Sequence, residues 1–245
     1  TNGIKFDELI AFLNTLQAHD VVLLHPCCHN PTGVDLTQQQ WDKVLEVVKA
    51  KNLLAFMDIA YQGFGEDMDA DVYAIRKAVD MGLLFFVSNS FSKNLSLYGE
   101  RVGGLSVVCK DEAQAKAVQG QLQFNIRRIY SSPPSHGGHV VDIVMNDEAL
   151  FNEWVQEVYV MRDRIKEMRQ KLRDSLEAKL PGRSFEYITK QNGMFSYTGL
   201  TPEQVARIIK DFGIYMVANG RISVAGLNAS NIDYVANAMA EVLKD

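Results

Sequence analysis

The segment with the clearest chemical potential is Ser90-Phe91-Ser92-Lys93, which Arg101 follows eight residues later. It places two hydroxyls, one amine and one guanidinium directly after the apolar residues 83–87. A lysine amine can form a Schiff base with an aldehyde, while serine hydroxyls and an arginine fork can bind a phosphate. The combination indicates a site for an aldehyde-bearing phosphate. The ordinary alternative is a solvated lysine in a serine-rich turn.

Polar residues of the same chemical kind follow two earlier apolar runs. The first run leads to His25 and Asn30, and the second leads to Asp58 and Tyr61. An aspartate at a buried strand end can keep a pyridine nitrogen protonated, and a phenol and an amide can bond the ring hydroxyl. Each residue also has a structural alternative: a helix cap for Asp58, a packing residue for Tyr61 and turn chemistry for Asn30. Together they indicate one cofactor site.

These residues are expected to meet because of the elements that carry them. Residues 21–24, 53–57 and 83–87 are predicted strands of a parallel sheet, and ligands bind at the carboxyl ends of such strands. A capping-box pattern at Thr37 and Gln40 begins a helix with one apolar face. That helix joins the first two strands as a βαβ unit.

The second half of the chain has a different pattern. Residues 147–180 predict one long charged helix, interpreted as a connection between domains with its arginines on a solvated face. The remaining predicted elements are a helix before residue 21, strands at 105–108, 185–188, 194–197 and 214–217, and a helix starting at Thr201-Pro202. The prediction is therefore an α/β fold with two domains, residues 1–160 and a smaller α+β domain at 161–245.

Composition narrows the class of protein. A net charge of −5 without a basic stripe argues against nucleic acid as a partner. No apolar run approaches the roughly 18 residues that a membrane span needs, which argues against a membrane partner. Three cysteines, two of them adjacent at Cys27 and Cys28, provide no disulfide framework and favour the cytoplasm. The spacing of these cysteines with His25 and His29 matches no zinc pattern, so no metal is expected.

Four short motifs follow one another along the chain: His29-Asn30-Pro31-Thr32-Gly33, Asp58-Ile59-Ala60-Tyr61-Gln62-Gly63, Ser90-Phe91-Ser92-Lys93 and Arg101-Val102-Gly103. In this order they resemble the fold-type I, pyridoxal-phosphate-dependent aspartate and aromatic-amino-acid aminotransferases. The resemblance extends over the whole chain and is closest to the bacterial aromatic (tyrosine) branch. It implies a large cofactor domain with a mixed, mostly parallel sheet between helices, followed by a smaller C-terminal domain.

The resemblance also implies a role for each candidate residue of the cofactor site. Lys93 is the catalytic residue, which holds pyridoxal 5'-phosphate as a Schiff base and moves the substrate proton. The other implied cofactor contacts are Asp58 at the pyridine nitrogen, Tyr61 and Asn30 at the ring oxygen, Ser90, Ser92 and Arg101 at the phosphate, and His25 behind Asp58.

Two arginines are implied to recognise the substrate. Arg221 would bind the α-carboxylate, and Arg127 would reach into the neighbouring subunit's site to bind a side-chain carboxylate. Asn30 and Phe195 would lie at the substrate pocket. The alternatives are a surface salt bridge for Arg221 and a core position for Phe195.

The resemblance therefore implies transfer of an amino group from an aromatic amino acid or aspartate to 2-oxoglutarate, in a cytoplasmic homodimer with shared active sites. An aspartate-preferring aminotransferase and a decarboxylase or lyase are the enzymatic alternatives. Family chains also carry a portion before the position of Thr1 that contributes to the cofactor site. A non-catalytic fragment that only folds or dimerises is therefore the alternative from a different class.

Overall fold

The computed structural model describes residues 2–244. They form two compact units. The C-terminal unit contains the described residues up to Ile4, the segment Cys27–Asp35 and the residues from Tyr159 onward, and the sheet unit contains Lys5–Pro26 and Leu36–Val158. The division into residues 1–160 and 161–245 stays a prediction, because these units place Cys27–Asp35 with the C-terminal residues.

The sheet unit is built on four strands in the order β1-β2-β3-β4. The predicted α/β class is confirmed, because β1, β2 and β3 are parallel neighbours. β4 pairs antiparallel with β3, which makes the sheet mixed. The strands are β1 (Val21–Leu24), β2 (Leu54–Ile59), β3 (Phe85–Ser90) and β4 (Gly103–Val108).

Helices connect these strands and follow them. They are α1 (Phe6–Thr15), α2 (Gln38–Ala50), α3 (Tyr73–Asp80), α4 (Glu112–Ile129), α5 (His136–Asn146) and the first part of α6 (Glu148–Lys179), with a short 3-10 helix at Ala70–Val72. α4 buries none of its side chains in this unit. Among residues 2–244, none of the helices combines the length and apolarity that a membrane crossing requires.

The predicted cap of α2 shows how local sequence sets an element boundary. The Thr37 hydroxyl accepts a hydrogen bond from the Gln40 amide at 3.2 Å, and the Gln40 side chain accepts one from the Thr37 amide at 2.9 Å. This capping box satisfies two amides that the first helical turn leaves without partners. α2 then buries the side chains of one face, which are Trp41, Val44, Leu45 and Val48. This buried face anchors α2, which connects β1 to β2 along the chain.

The C-terminal unit contains most of α6 and a two-stranded antiparallel sheet. Its further elements are α7 (Glu186–Lys190), β5 (Phe195–Tyr197), α8 (Pro202–Phe212), β6 (Arg221–Ser223), a short 3-10 helix at Val224–Gly226 and α9 (Ile232–Leu243). The long charged helix was predicted within two residues at each end. Its arginines are not all solvated, however, because Arg169 is only 2% exposed.

Two strand predictions in this unit are wrong. Residues 185–188 begin α7, where Phe185 and Ile188 are both buried at a spacing of three residues that suits a helix face. Residues 214–217 belong to neither sheet among the residues that the structure describes; the Val217 amide bonds the Arg221 carbonyl of β6 at 3.4 Å across a turn, and Tyr215 is 85% exposed. β-branched and aromatic residues favour strands only where a neighbouring strand is available.

Tyr187 on α7 allows a test of this unit's stability. Its hydroxyl donates to the Thr198 carbonyl at 2.8 Å, and burial raises its pKa to about 12 from 10.0. The neutral phenol is favoured in the folded state, so this stabilisation is complete below pH 10 and is lost as the pH rises towards 12. Between pH 10 and 12 the free energy of unfolding, measured with urea, should therefore fall by nearly 1.4 kcal/mol per pH unit, relative to the Tyr187→Phe variant. Parallel pH curves for the two proteins would contradict it.

Candidate active site

The carboxyl ends of β1, β2 and β3 bring a histidine, an aspartate and a serine together. Asp58 lies opposite Ser88 in the parallel register of β2 and β3, and the Ser88 hydroxyl donates to Asp58 Oδ1 at 2.9 Å. On the β1 side, His25 Nε2 lies 3.9 Å from Asp58 Oδ2. The Asp58 side chain remains 41% exposed, so its carboxylate is oriented by the Ser88 hydroxyl and still accessible to a ligand.

Lys93 lies just beyond the end of β3, on a turn that buried neighbours hold in place. Its Nζ is 5.0 Å from the centre of the Tyr61 ring, which is a cation–π distance. Ser92 and Asn94 on either side are buried, and the Asn94 carbonyl accepts a hydrogen bond from Trp154 Nε1 at 2.7 Å. Trp154, which anchors this turn from α6, was not predicted, because no local pattern links it to Asn94.

The predicted phosphate ligands lie around the same turn. The Ser92 amide donates to the Ser90 hydroxyl at 3.2 Å, so the two serines are adjacent. Arg101 is exposed, has a φ of +51° and donates from Nη1 to the Tyr98 carbonyl at 3.0 Å. A guanidinium carries five N–H groups, which leaves donors for an anion.

β4 is held close to the end of β3 by a glycine. Gly103 lies opposite Ser90, and a side chain at Gly103 would collide with the Asn89 carbonyl. Only a residue without Cβ allows this approach. Arg101, two residues earlier, is thereby anchored beside the Lys93 turn.

Arg127 is separate from this cluster. It lies in the last turn of α4, is exposed, and its Nη1 donates to the Ser131 hydroxyl. Its neighbour Arg128 lies over the Phe124 ring at 5.3 Å. The described residues contain no hydrogen bond or ion pair between Arg127 and the residues at the strand ends. Its role in a neighbouring subunit stays a prediction.

A second cluster forms inside the C-terminal unit, around Arg221 on β6. Arg221 Nη1 donates to Asn30 Oδ1 at 2.9 Å, and its guanidinium carbon lies 4.8 Å from the centre of the Phe195 ring on β5. The Asn219 side chain also accepts from the Arg221 amide at 3.1 Å. The structure thus groups Arg221, Phe195 and Asn30, three residues that were predicted at the substrate pocket.

The comparisons with known proteins decide the family. The sequence profile described as "Aminotransferase class I and II" matches residues 1–239. The chain belongs to this family. It is 56% identical over 243 residues to an aromatic-amino-acid aminotransferase of Escherichia coli (strain K12), covering 99% of this chain and 61% of the relative. An aspartate aminotransferase of Pseudomonas aeruginosa is 49% identical, with the same coverage.

Solved aminotransferase structures are similar to nearly the whole chain. An aromatic amino acid aminotransferase from Psychrobacter sp. B6, cocrystallised with aspartic acid, superimposes with a TM-score of 0.98 at 72% identity over 99% of this chain and 61% of that one. One from Burkholderia pseudomallei, covalently bound to pyridoxal phosphate, gives 0.97 at 52% identity with the same coverage. The chain therefore spans about 61% of the length of these aminotransferases.

The donor set of this class I and II aminotransferase chain fits pyridoxal phosphate. The sheet unit presents an amine at Lys93, a carboxylate at Asp58, a phenol at Tyr61, and hydroxyls and a guanidinium on the following turn. These groups match an aldehyde, a pyridinium nitrogen, a ring hydroxyl and a phosphate, respectively. Ser88 was missed as a neighbour of Asp58. Residues two apart on a strand share a face, so the position of Ser88 two residues before Ser90 could have indicated it; the register then places Ser88 opposite Asp58.

Proposed function

We propose that this chain carries the cofactor and substrate sites of a pyridoxal-phosphate-dependent aminotransferase. The enzyme would transfer an amino group from an aromatic amino acid or aspartate to 2-oxoglutarate. One observation carries the proposal: the Lys93 amine lies against the Tyr61 ring just beyond β3, while Asp58 on the adjacent strand accepts a hydrogen bond from Ser88 and lies 3.9 Å from His25 Nε2. Structural relatives that are named aromatic amino acid aminotransferases support it.

Residues of the sheet unit would hold the cofactor. Asp58 would pair with the ring nitrogen, Tyr61 would bond the ring oxygen, and Ser90, Ser92 and Arg101 would bind the phosphate. When bound, pyridoxal phosphate supplies an electron-withdrawing ring that weakens the bonds at the substrate Cα. Asp58 would contribute by placing a carboxylate beside the ring nitrogen, and the Ser88 hydroxyl orients that carboxylate.

Lys93 would perform the proton transfer. Its Nζ would accept the proton from the substrate Cα and donate it to the cofactor carbon C4′. This requires an amine that can move while its backbone stays fixed, because proton transfer is effective only over hydrogen-bond distances. The buried Ser92 and Asn94 and the bond from Trp154 supply that fixed backbone.

Arg221 would bind the substrate α-carboxylate. A guanidinium can donate two parallel hydrogen bonds to a carboxylate, and the Asn30 contact and the Phe195 ring orient it. A fixed carboxylate leaves the Cα–H bond, rather than the carboxylate bond, aligned for cleavage. This supports transamination over decarboxylation.

The substitution Arg221→Lys tests this assignment. Lysine keeps the charge but loses the planar fork, so KM for the amino donor should rise about 10- to 100-fold. Steady-state kinetics with L-aspartate and L-tyrosine measure the effect. Arg207→Lys is the matched control, since Arg207 is also an arginine of this unit and forms a surface pair with Asp211. Equal KM values for both variants would remove Arg221 from the substrate site.

Product analysis tests the proposed function itself. The purified protein is supplied with pyridoxal phosphate, 2-oxoglutarate and either L-tyrosine or L-aspartate. We expect one glutamate per 2-oxo acid formed from the donor, without release of CO₂, and the faster donor identifies the preferred substrate. Release of CO₂ from the donor would indicate a decarboxylase instead. Absence of glutamate with both donors would contradict the proposal for this chain.

We also propose a homodimer in the cytoplasm. Cys27, Cys28 and Cys109 form no disulfide, as in proteins of a reducing compartment. The dimer is supported by α4, which leaves Phe124 57% and Ile129 76% exposed next to Arg127. Apolar residues exposed on one helix are typical of a surface that a partner covers. Sedimentation velocity measures the mass, and a monomer at micromolar concentration would contradict the dimer.

A further inference from the structure

Arg169 is a charged residue in the core of the C-terminal unit. It lies on α6, and its guanidinium donates to three backbone carbonyls: Ile188 at 3.0 Å, Gly193 at 2.8 Å and Phe195 at 2.6 Å. Burial lowers its pKa to about 10, which still leaves it protonated at neutral pH. Two of these carbonyls belong to the short segment that ends in Phe195, whose ring lies against Arg221.

Asp35 connects residues 192–195, called the 192–195 segment, to the loop that contains Asn30. Its carboxylate accepts hydrogen bonds from the Cys28 and His29 amides at 2.9 Å each, and from the Asn192 side chain at 3.2 Å. It therefore holds the start of the loop and the start of the 192–195 segment at once. A carboxylate that accepts several N–H bonds is a strong and directional anchor.

The loop and the 192–195 segment are also packed without space between them. The Asn192 amide donates to the Gly33 carbonyl at 2.7 Å. A side chain at Gly33 would lie 2.6 Å from the Phe195 carbonyl, closer than real contacts allow. A shift of either segment would consequently move the other.

We propose that Arg169 and Asp35 are positioning residues for Arg221. The Arg221 guanidinium contacts Asn30 and the Phe195 ring, which come from the loop and from the 192–195 segment. Arg169 holds one of these segments from behind, and Asp35 joins the two. Bidentate binding of a carboxylate depends on the direction of the guanidinium plane, so Arg169 and Asp35 set the affinity for the substrate carboxylate. The inference rests on the function proposed for Arg221.

The test compares Arg169→Lys with Arg173→Lys. Arg173 lies one turn further along α6 and bonds Glu177 and the Thr189 side chain, so it also braces α7; among the described residues it has no hydrogen bond to the 192–195 segment. Asp35→Asn is the second test variant and nearly preserves the shape of the side chain. Two readouts are used: the separate kcat and KM values for L-aspartate, and the guanidinium Nε–H signal of Arg221 in a ¹⁵N NMR spectrum without substrate, assigned by its loss in Arg221→Lys.

In Arg169→Lys and Asp35→Asn we expect KM to rise about tenfold with kcat within about twofold, as loss of one charged hydrogen bond implies. The Arg221 signal should shift in both variants and stay in place in Arg173→Lys. The proposal is overturned if both test variants behave like Arg173→Lys, if kcat falls at constant KM, or if neither variant folds, since the residues would then serve stability alone. If the unmutated protein lacks activity, the proposed function fails, while the NMR signal still decides the positioning role.

Discussion

Lys93→Ala is expected to abolish amino-group transfer, with a rate loss on the order of 10⁴-fold or more. Two functions disappear together: the amine that attaches to the cofactor aldehyde, and the base that moves the proton at the substrate Cα. Initial rates of glutamate formation measure the loss. The visible absorption of the protein after dialysis against pyridoxal phosphate reports cofactor attachment independently of turnover.

A matched lysine separates this effect from a general loss of charge. Lys116 lies on α4 of the same unit, is exposed, and pairs with Glu112 at 2.6 Å. Lys116→Ala should keep the absorption band and a rate within about twofold of the unmutated protein, because surface pairs contribute little to stability. A Lys93→Ala protein that retained a tenth of the activity would eliminate the lysine from the mechanism.

Asp58→Asn should lower the rate on the order of 10²–10³-fold, the size of effect seen when one preorganised electrostatic contact is removed. Asparagine preserves the shape of the side chain and can still accept from the Ser88 hydroxyl through its carbonyl oxygen. The negative charge that would keep the cofactor nitrogen protonated is lost. Steady-state kinetics should show a fall in kcat, and cofactor titration should show weaker binding.

Two controls bracket the aspartate prediction. Asp69→Asn removes an exposed carboxylate of the same unit that pairs with Arg76, and its kinetics should be unchanged. Ser88→Ala leaves the Asp58 charge in place but removes its 2.9 Å hydrogen bond, and a smaller loss is expected. If Asp58→Asn lowered the rate no more than Ser88→Ala, geometry rather than charge would be the contribution of Asp58.

The sequence pattern predicted those elements of the fold that depend on interactions between residues close together in the chain. The capping box at Thr37 and the apolar face after it specify a helix whatever the rest of the chain does. The apolar strands with polar ends likewise predicted the sheet edge at which His25 and Asp58 meet, since parallel strands must align their carboxyl ends. The roles implied for these residues depended on the family resemblance, because the same pattern also fits turns and caps.

Contacts between distant parts of the chain could not be predicted in this way. Asn30 and Arg221 are 191 residues apart, and neither periodicity nor spacing links them. Arg169 resembled any other arginine of a charged helix, and only the fold shows that three carbonyls surround it. The failed strand at residues 214–217 has the same cause, because β-propensity depends on a neighbouring strand that the sequence does not reveal.

The Trp154–Asn94 hydrogen bond also determines how the native chain responds to proteolysis. Trypsin cleaves after lysine, and Lys93 precedes a buried Asn94 whose carbonyl is bound to Trp154. The Lys93 carbonyl itself accepts from the Ser96 amide at 3.2 Å. Proteases need an extended, accessible segment, so the peptide bond between Lys93 and Asn94 is protected until the turn opens. Cleavage after Lys93 is therefore a marker of molecules in which the Lys93 turn has come apart.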